Sequence, residues 1–176
     1  MKALTHSYEG EVLTLTVAAV YHLLYLQIPN AIVEVHPVNQ SGASSKEVSD
    51  LDIYIGGKLC ISNELKDKDY SATDVRHASD KVIMSGGNRL LFIEGPHASP
   101  TSHFKNELQI EYHKRNFQLT IESYIDFFNS MINAIPTIDC HEFMSFIITK
   151  ARDTKFKEEV IDYLDQLAQQ ELGLRR

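Results

Sequence analysis

The sequence predicts an α/β fold, a central mixed sheet flanked by helices, and three observations carry that prediction. Apolar residues recur at helical spacing in some stretches and alternate or run together in others, in the order helix, three strands, helix, strand, helix, strand, then helices. Two runs rich in β-formers, residues 53–55 and 59–61, flank Gly56-Gly57, whose tolerance of positive φ suits a tight hairpin turn. Leu90-Leu91-Phe92-Ile93 is a short continuous apolar run broken by Gly95-Pro96, as expected of a strand buried on both faces.

Taken in order, residues 11–27 read as a helix with Leu13, Val17, Val20, Tyr21, Leu24 and Leu26 on a broad apolar face, ended by Pro29-Asn30. A strand follows over 31–38, limited by Pro37, and then a Ser-rich polar loop over 39–49 that cannot pack a core. The hairpin comes next, its second strand running on to Lys66. Ser71 to Asp74 has the form of a capping box with Asp in place of Glu, and it opens a helix to Met84 that Ser85-Gly86-Gly87-Asn88 stops. After the strand at 90–93, a loop at 97–101 leads to a helix over 102–115, an alternating strand over 117–121 and a helix over 124–135 closed by Pro136. Two helices, 139–151 and 154–172, complete the chain; their Phe and Tyr residues are read as core.

A chain of 176 residues is expected to form a single domain, 1–176, and its 43% hydrophobic content is enough for a real core. No apolar run approaches a membrane span, residues 1–15 lack a secretion signal, and only Cys60 and Cys140 are present, without metal-type spacing. Reduced thiols and a cytoplasmic location are the expectation. The net charge of −7 counts against a self-sufficient binder of polyanions, and even residues 58–81 balance five Lys or Arg against five Asp or Glu.

The chemistry concentrates at the end of the hairpin. Side chains alternate along a strand, so Glu64 and Lys66 share one face while Leu65 takes the other. Folding about Gly56-Gly57 brings them within reach of Asp52, with Asp50 in reserve on the same strand face. Two carboxylates form a hard oxygen site suited to Mg²⁺, and an ammonium beside it can organise a nucleophile or neutralise charge on a phosphate. Phosphodiester hydrolysis uses all three.

Asp52, eleven residues, then Glu64-Leu65-Lys66 resembles the PD-(D/E)xK nuclease signature, although neither Asp50 nor Asp52 follows a proline. The wider segment, from His36-Pro37 through Glu64-Leu65-Lys66-Asp67-Lys68 to Asp74-Val75-Arg76-His77, is similar to the catalytic part of type II restriction endonucleases of the SacI-like branch. The resemblance implies a restriction-endonuclease-like αβββαβ core with additional C-terminal helices. It implies a Mg²⁺-dependent endonuclease acting on double-stranded DNA, with Mn²⁺ substituting. Asp52, Glu64 and Lys66 are then the catalytic residues, and Asp52, Glu64 and the Leu65 carbonyl the metal ligands. Asn39, Gln40, Ser44, Ser45, Lys46, Lys68, Arg76 and His77 are candidate DNA contacts, and Glu11 on the first helix is a candidate auxiliary. A homodimer is expected by resemblance, because two strands must be cut. To make up for the acidic charge, Mg²⁺, the dimer partner or a DNA-recognition region outside this chain is expected to supply part of the grip.

Other chemistries lack support: there is no zinc-type His spacing, no Gly-x-Ser-x-Gly elbow and no phosphate-cradling Gly-rich loop. Two alternatives stay open. A non-cleaving DNA-binding or assembly module on the same fold would show no metal binding dependent on the acidic residues, and a repair or junction nuclease would prefer branched DNA.

Overall fold

The computed structural model describes residue 4 and residues 8–37, 48–99 and 102–173. Helix α1 (Glu11–Tyr25) is followed by strands β1 (Ala31–Val35), β2 (Leu51–Ile55) and β3 (Lys58–Lys66), helix α2 (Ala72–Met84), strand β4 (Arg89–Glu94), helix α3 (Lys105–His113) and strand β5 (Gln118–Ser123). Helices α4 (Tyr124–Ile132), α5 (Cys140–Asp153) and α6 (Glu158–Leu172) complete the chain. The sheet is mixed and ordered as in the sequence: β1, β2 and β3 are antiparallel, and β3, β4 and β5 are parallel.

Six helices cover the two faces unequally. On one face, α1 and the C-terminal helices pack over Val33, Val35, Leu51, Ile53, Leu65 and Ile93. Nearly every residue of α1 is buried, as befits a helix apolar on all sides. Its Thr14 and Thr16 hydroxyls donate to the carbonyls of Gly10 and Val12, which satisfies polar groups that have no access to water. On the other face, α2 and α3 pack over Leu90, Phe92, Leu119 and Ile121. Ile32 and Glu34 of β1 stay exposed.

Several boundaries shift for local reasons. β1 ends at Val35, before Pro37, and α6 starts later than expected because Lys155, at φ 57°, breaks the approach. The expected helix over 102–115 divides into a 3₁₀ turn (Ser102–Phe104) and α3. The capping box at α2 is present: Ser71 N and Oγ both donate to Asp74 Oδ2 at 2.7 Å.

One irregularity positions the site. Gly56 and Gly57, at φ 58° and 77°, make the two-residue turn between paired Ile55 and Lys58. Tyr54 then pairs with Leu59 but Ile53 with Ile61, so Cys60 is an unpaired bulge residue. Beyond it Asp52 lies opposite Ser62 and Leu51 opposite Asn63, which brings Asp50 level with Glu64. Had Cys60 stayed in the ladder, Asp50 would face Asn63, and Glu64 and Lys66 would project from the opposite face.

Candidate active site

The bulged hairpin places Asp50, Asp52, Ser62, Glu64 and Lys66 on the face that α2 and α3 partly cover. Along this row the two aspartates occupy different environments.

Asp52 is fully buried and fully engaged. Ser49 Oγ and Ser62 Oγ donate to its Oδ1 at 2.8 and 2.6 Å, and His36 Nε2 lies 3.1 Å from its Oδ2. Burial opposes its ionisation, yet the bonds from His36, Ser62 and Ser49 win and hold the carboxyl below its ordinary range. The same side chains tie down the backbone. Ser49 Oγ reaches the Leu51 carbonyl and accepts from Asn63 N, while His36 N donates to the Asp50 carbonyl at 3.0 Å.

Asp50 instead sits beside the second acidic residue. Leu65 N donates to its Oδ2 at 2.9 Å. Burial, reinforced by the charge of Glu64, pushes its carboxyl up to about 7, while Lys66, the Leu65 amide and Lys81 pull the other way. Lys66 Nζ lies 2.7 Å from Glu64 Oε1, and the two side chains keep 25% and 17% of their surface exposed, so this pair is open to solvent as Asp52 is not. Although burial works against its charge, Glu64 and Asp50 hold Lys66 above its ordinary value.

The structure therefore brings Asp50, Glu64 and Lys66 together and sets Asp52 behind them. This corrects the expectation that Asp52 reaches the end of the second strand. Its carboxylate is occupied by three partners, and Asp50, the reserve, holds the place opposite Glu64. In an extended residue the N–H and C=O point to the same side, so the Leu65 carbonyl faces Asp50 as its amide does. Among the described residues no group of three or more His, Cys, Asp or Glu side chains is arranged to hold a metal. Two carboxylates and a carbonyl nonetheless fit Mg²⁺, which keeps several of its waters.

The other predicted positions divide. Arg76 turns away from the site to pair with Glu111 of α3 at 3.2 Å, because its place on the helix faces that neighbour. Glu11 is buried and accepts from Lys157 N at the head of α6, which makes it part of the packing of α1 on the C-terminal helices. Lys68 and His77 are exposed. Asn39, Gln40, Ser44, Ser45 and Lys46 lie outside the described residues.

Residues that sequence reasoning passed over complete the surroundings. Glu94, in register with Lys66 on β4, is buried between Lys105, whose Nζ lies 2.6 Å away, and the donating hydroxyl of Tyr70. Behind Lys66, the buried carboxylate of Asp67 accepts from His97 N at 3.0 Å and pairs with His97 Nδ1 at 2.9 Å. Gly95 makes that possible: a Cβ there would come within 2.3 Å of Asp67 Oδ1. Gly95 N donates to the Lys66 carbonyl at 2.8 Å, so the loop after β4 is laced to the end of β3.

The sequence model of one protein family, the SacI restriction endonuclease C-terminal domain, matches residues 1–96 of this chain. That stretch runs from the N-terminus through β4 and contains Asp50, Glu64 and Lys66. No curated protein matches the chain. Among the described residues no helix is long and apolar enough to cross a membrane.

Proposed function

The chain belongs to the SacI restriction endonuclease C-terminal domain family, and we propose that it is the Mg²⁺-dependent cutting domain of a type II restriction enzyme, hydrolysing phosphodiester bonds in double-stranded DNA. The observation that carries this reading is the meeting of Asp50, Glu64 and Lys66 at one solvent-reached end of the sheet. Asp50, Glu64 and the Leu65 carbonyl are the residues that would hold Mg²⁺ or Mn²⁺. When bound, the ion supplies a Lewis acid for a phosphoryl oxygen and acidifies water.

The chain's own groups do the remainder. Asp50, whose ionisation is opposed by burial and then by the charge of Glu64, would be held ionised by a cation shared between the two carboxylates. Lys66, kept charged by both carboxylates, orients the attacking water and neutralises charge gathering on the phosphate. Glu64 holds the ammonium in place at 2.7 Å. Asp52 touches neither; through its bonds to Ser49, Ser62 and His36 it fixes the strand that presents Asp50.

Glu64→Ala is expected to abolish Mg²⁺-dependent cleavage of duplex DNA while the far-ultraviolet circular dichroism stays unchanged. Undiminished cleavage by that variant removes the proposal. The net charge of −7 favours a second reading, a non-cleaving assembly module on the same fold. A parent protein that neither cuts nor binds Mg²⁺ would favour that reading.

A further inference from the structure

Helix α2 has three sides. Val75, Ala78, Ser79 and Val82 are buried, the apolar three among them packed with Leu90 and Phe92 of the sheet. Arg76 and Asp80 turn to α3: Arg76 pairs with Glu111, and Asp80 Oδ1 accepts from Tyr112 at 3.0 Å and Arg115 at 3.3 Å. At 100° per residue the remaining residues are Asp74, His77, Lys81 and Met84: His77 and Met84 lie opposite the buried side, while Asp74 and Lys81 lie on the flank away from α3, the flank nearer β3. His77 and Met84 are exposed, and Lys81 is half-buried.

Helical side chains lean towards the N-terminus, so Lys81 reaches back over the turn of His77 towards Glu64 and Asp50. Two charge interactions agree with that placement. Asp74 and Lys66 act on each other at the head of the helix, and the Lys81 ammonium acts on Asp50 lower down. Lys66 and Lys105 each hold a carboxylate, at 2.7 and 2.6 Å. Among the described residues Lys81 makes no such ion pair, although it stands beside an acidic site.

We propose that Lys81 is a second cation of the site, gripping a phosphate of the DNA strand laid across Asp50 and Glu64. The proposal rests on the nuclease reading above and adds a contact to it. Lys66 is shared between Glu64 and the reacting centre, so a phosphate arriving at a pair of carboxylates is helped by another positive group. A half-buried ammonium on a flexible stem, aimed from a rigid helix, supplies one with three donors. Towards the β1 edge of the same sheet face, the exposed Ile32 and Glu34 and the half-buried Tyr54 leave room for a strand to enter.

The test is duplex binding by fluorescence anisotropy across a salt series, in Ca²⁺ to prevent cutting. Parent, Lys81→Ala, Lys81→Arg and, as a remote control on α3, Lys114→Ala are compared. Removing one phosphate contact lowers the slope of log K against log salt by about 0.9. Lys81→Ala is expected to show that loss and a several-fold weaker affinity at an unchanged melting temperature, Lys81→Arg to recover most of it, and Lys114→Ala to match the parent. A Lys81→Ala slope equal to the parent's overturns the proposal and leaves the nuclease reading standing. Failure of the parent to bind duplex overturns both.

Discussion

Asp50 and Asp52 are two residues apart, share a face of the hairpin, and are shifted in opposite directions by their surroundings. Asp52 accepts from two hydroxyls and lies against a histidine, so its charge is stabilised; Asp50 faces a second carboxylate, so its charge is opposed. The folded state keeps on Asp50 a proton that the unfolded chain releases near 3.8, so stability falls as pH rises from there to about 7, above which both states are ionised. Asp52 has the reverse sign: its contribution is present above the ordinary carboxylate range and is lost as pH falls below it. In the proposed nuclease reading a divalent cation would take the place of the Asp50 proton. Mg²⁺ is therefore expected to raise the melting temperature most above pH 7 and little at pH 5, with Asp50→Asn abolishing the difference; a thermal-shift series in pH and Mg²⁺ checks this. At Asp52 the substitutions separate by hydrogen bonding. Asp52→Asn keeps an oxygen for Ser49 and Ser62 and is expected to cost about 1–2 kcal/mol in a denaturant melt, whereas Asp52→Ala strands three buried partners and costs about 3 kcal/mol or more.

At the scale of elements, the Cys60 bulge decides which face carries the chemistry. Because Cys60 is extra to the ladder, deleting it leaves Ile53 opposite Ile61 and Asp50 level with Glu64. Deletion of Cys60 is thus expected to preserve Mg²⁺ affinity within a few-fold by calorimetry. In an unbulged register, with Glu64 and Lys66 on the face opposite Asp50, the parent would lack the site and the same deletion would assemble it, so affinity would rise on deletion instead of holding steady. The loop after β4 is the other tight element. Gly95→Ala sets a Cβ against Asp67 Oδ1 and Leu13 Cδ2 and is expected to cost about 1–3 kcal/mol, read from chemical denaturation. These two elements also show how far the sequence could be read. The Gly56-Gly57 turn and the Glu64-Leu65-Lys66 strand end are local patterns and were legible. The bulge was not, because Leu59, Cys60 and Ile61 are all acceptable on either face, and that one-residue ambiguity is what left Asp50 and Asp52 unresolved. Arg76 and Lys81 were equally opaque. Which side of α2 meets α3 depends on contacts such as Arg76 with Glu111, 35 residues apart in sequence.

Across the whole molecule, charge and coverage set the terms of DNA binding. Six helices flank the five strands, yet α2 and α3 cover only one side of the site's face, and the β1 end stays open. The order of elements was readable because each periodicity is local; how they cover the sheet was not. With a net charge of −7, the chain has no general basic footprint, so in the proposed reading Lys66, Lys81 and a divalent ion would do most of the local work against a phosphate backbone. The most direct test is a calorimetric titration of Mg²⁺ or Mn²⁺ into the parent, Asp50→Asn, Asp52→Asn and Glu64→Ala. The account predicts one site in the parent and in Asp52→Asn, and none in Asp50→Asn or Glu64→Ala. Binding lost in Asp52→Asn but kept in Asp50→Asn would contradict it.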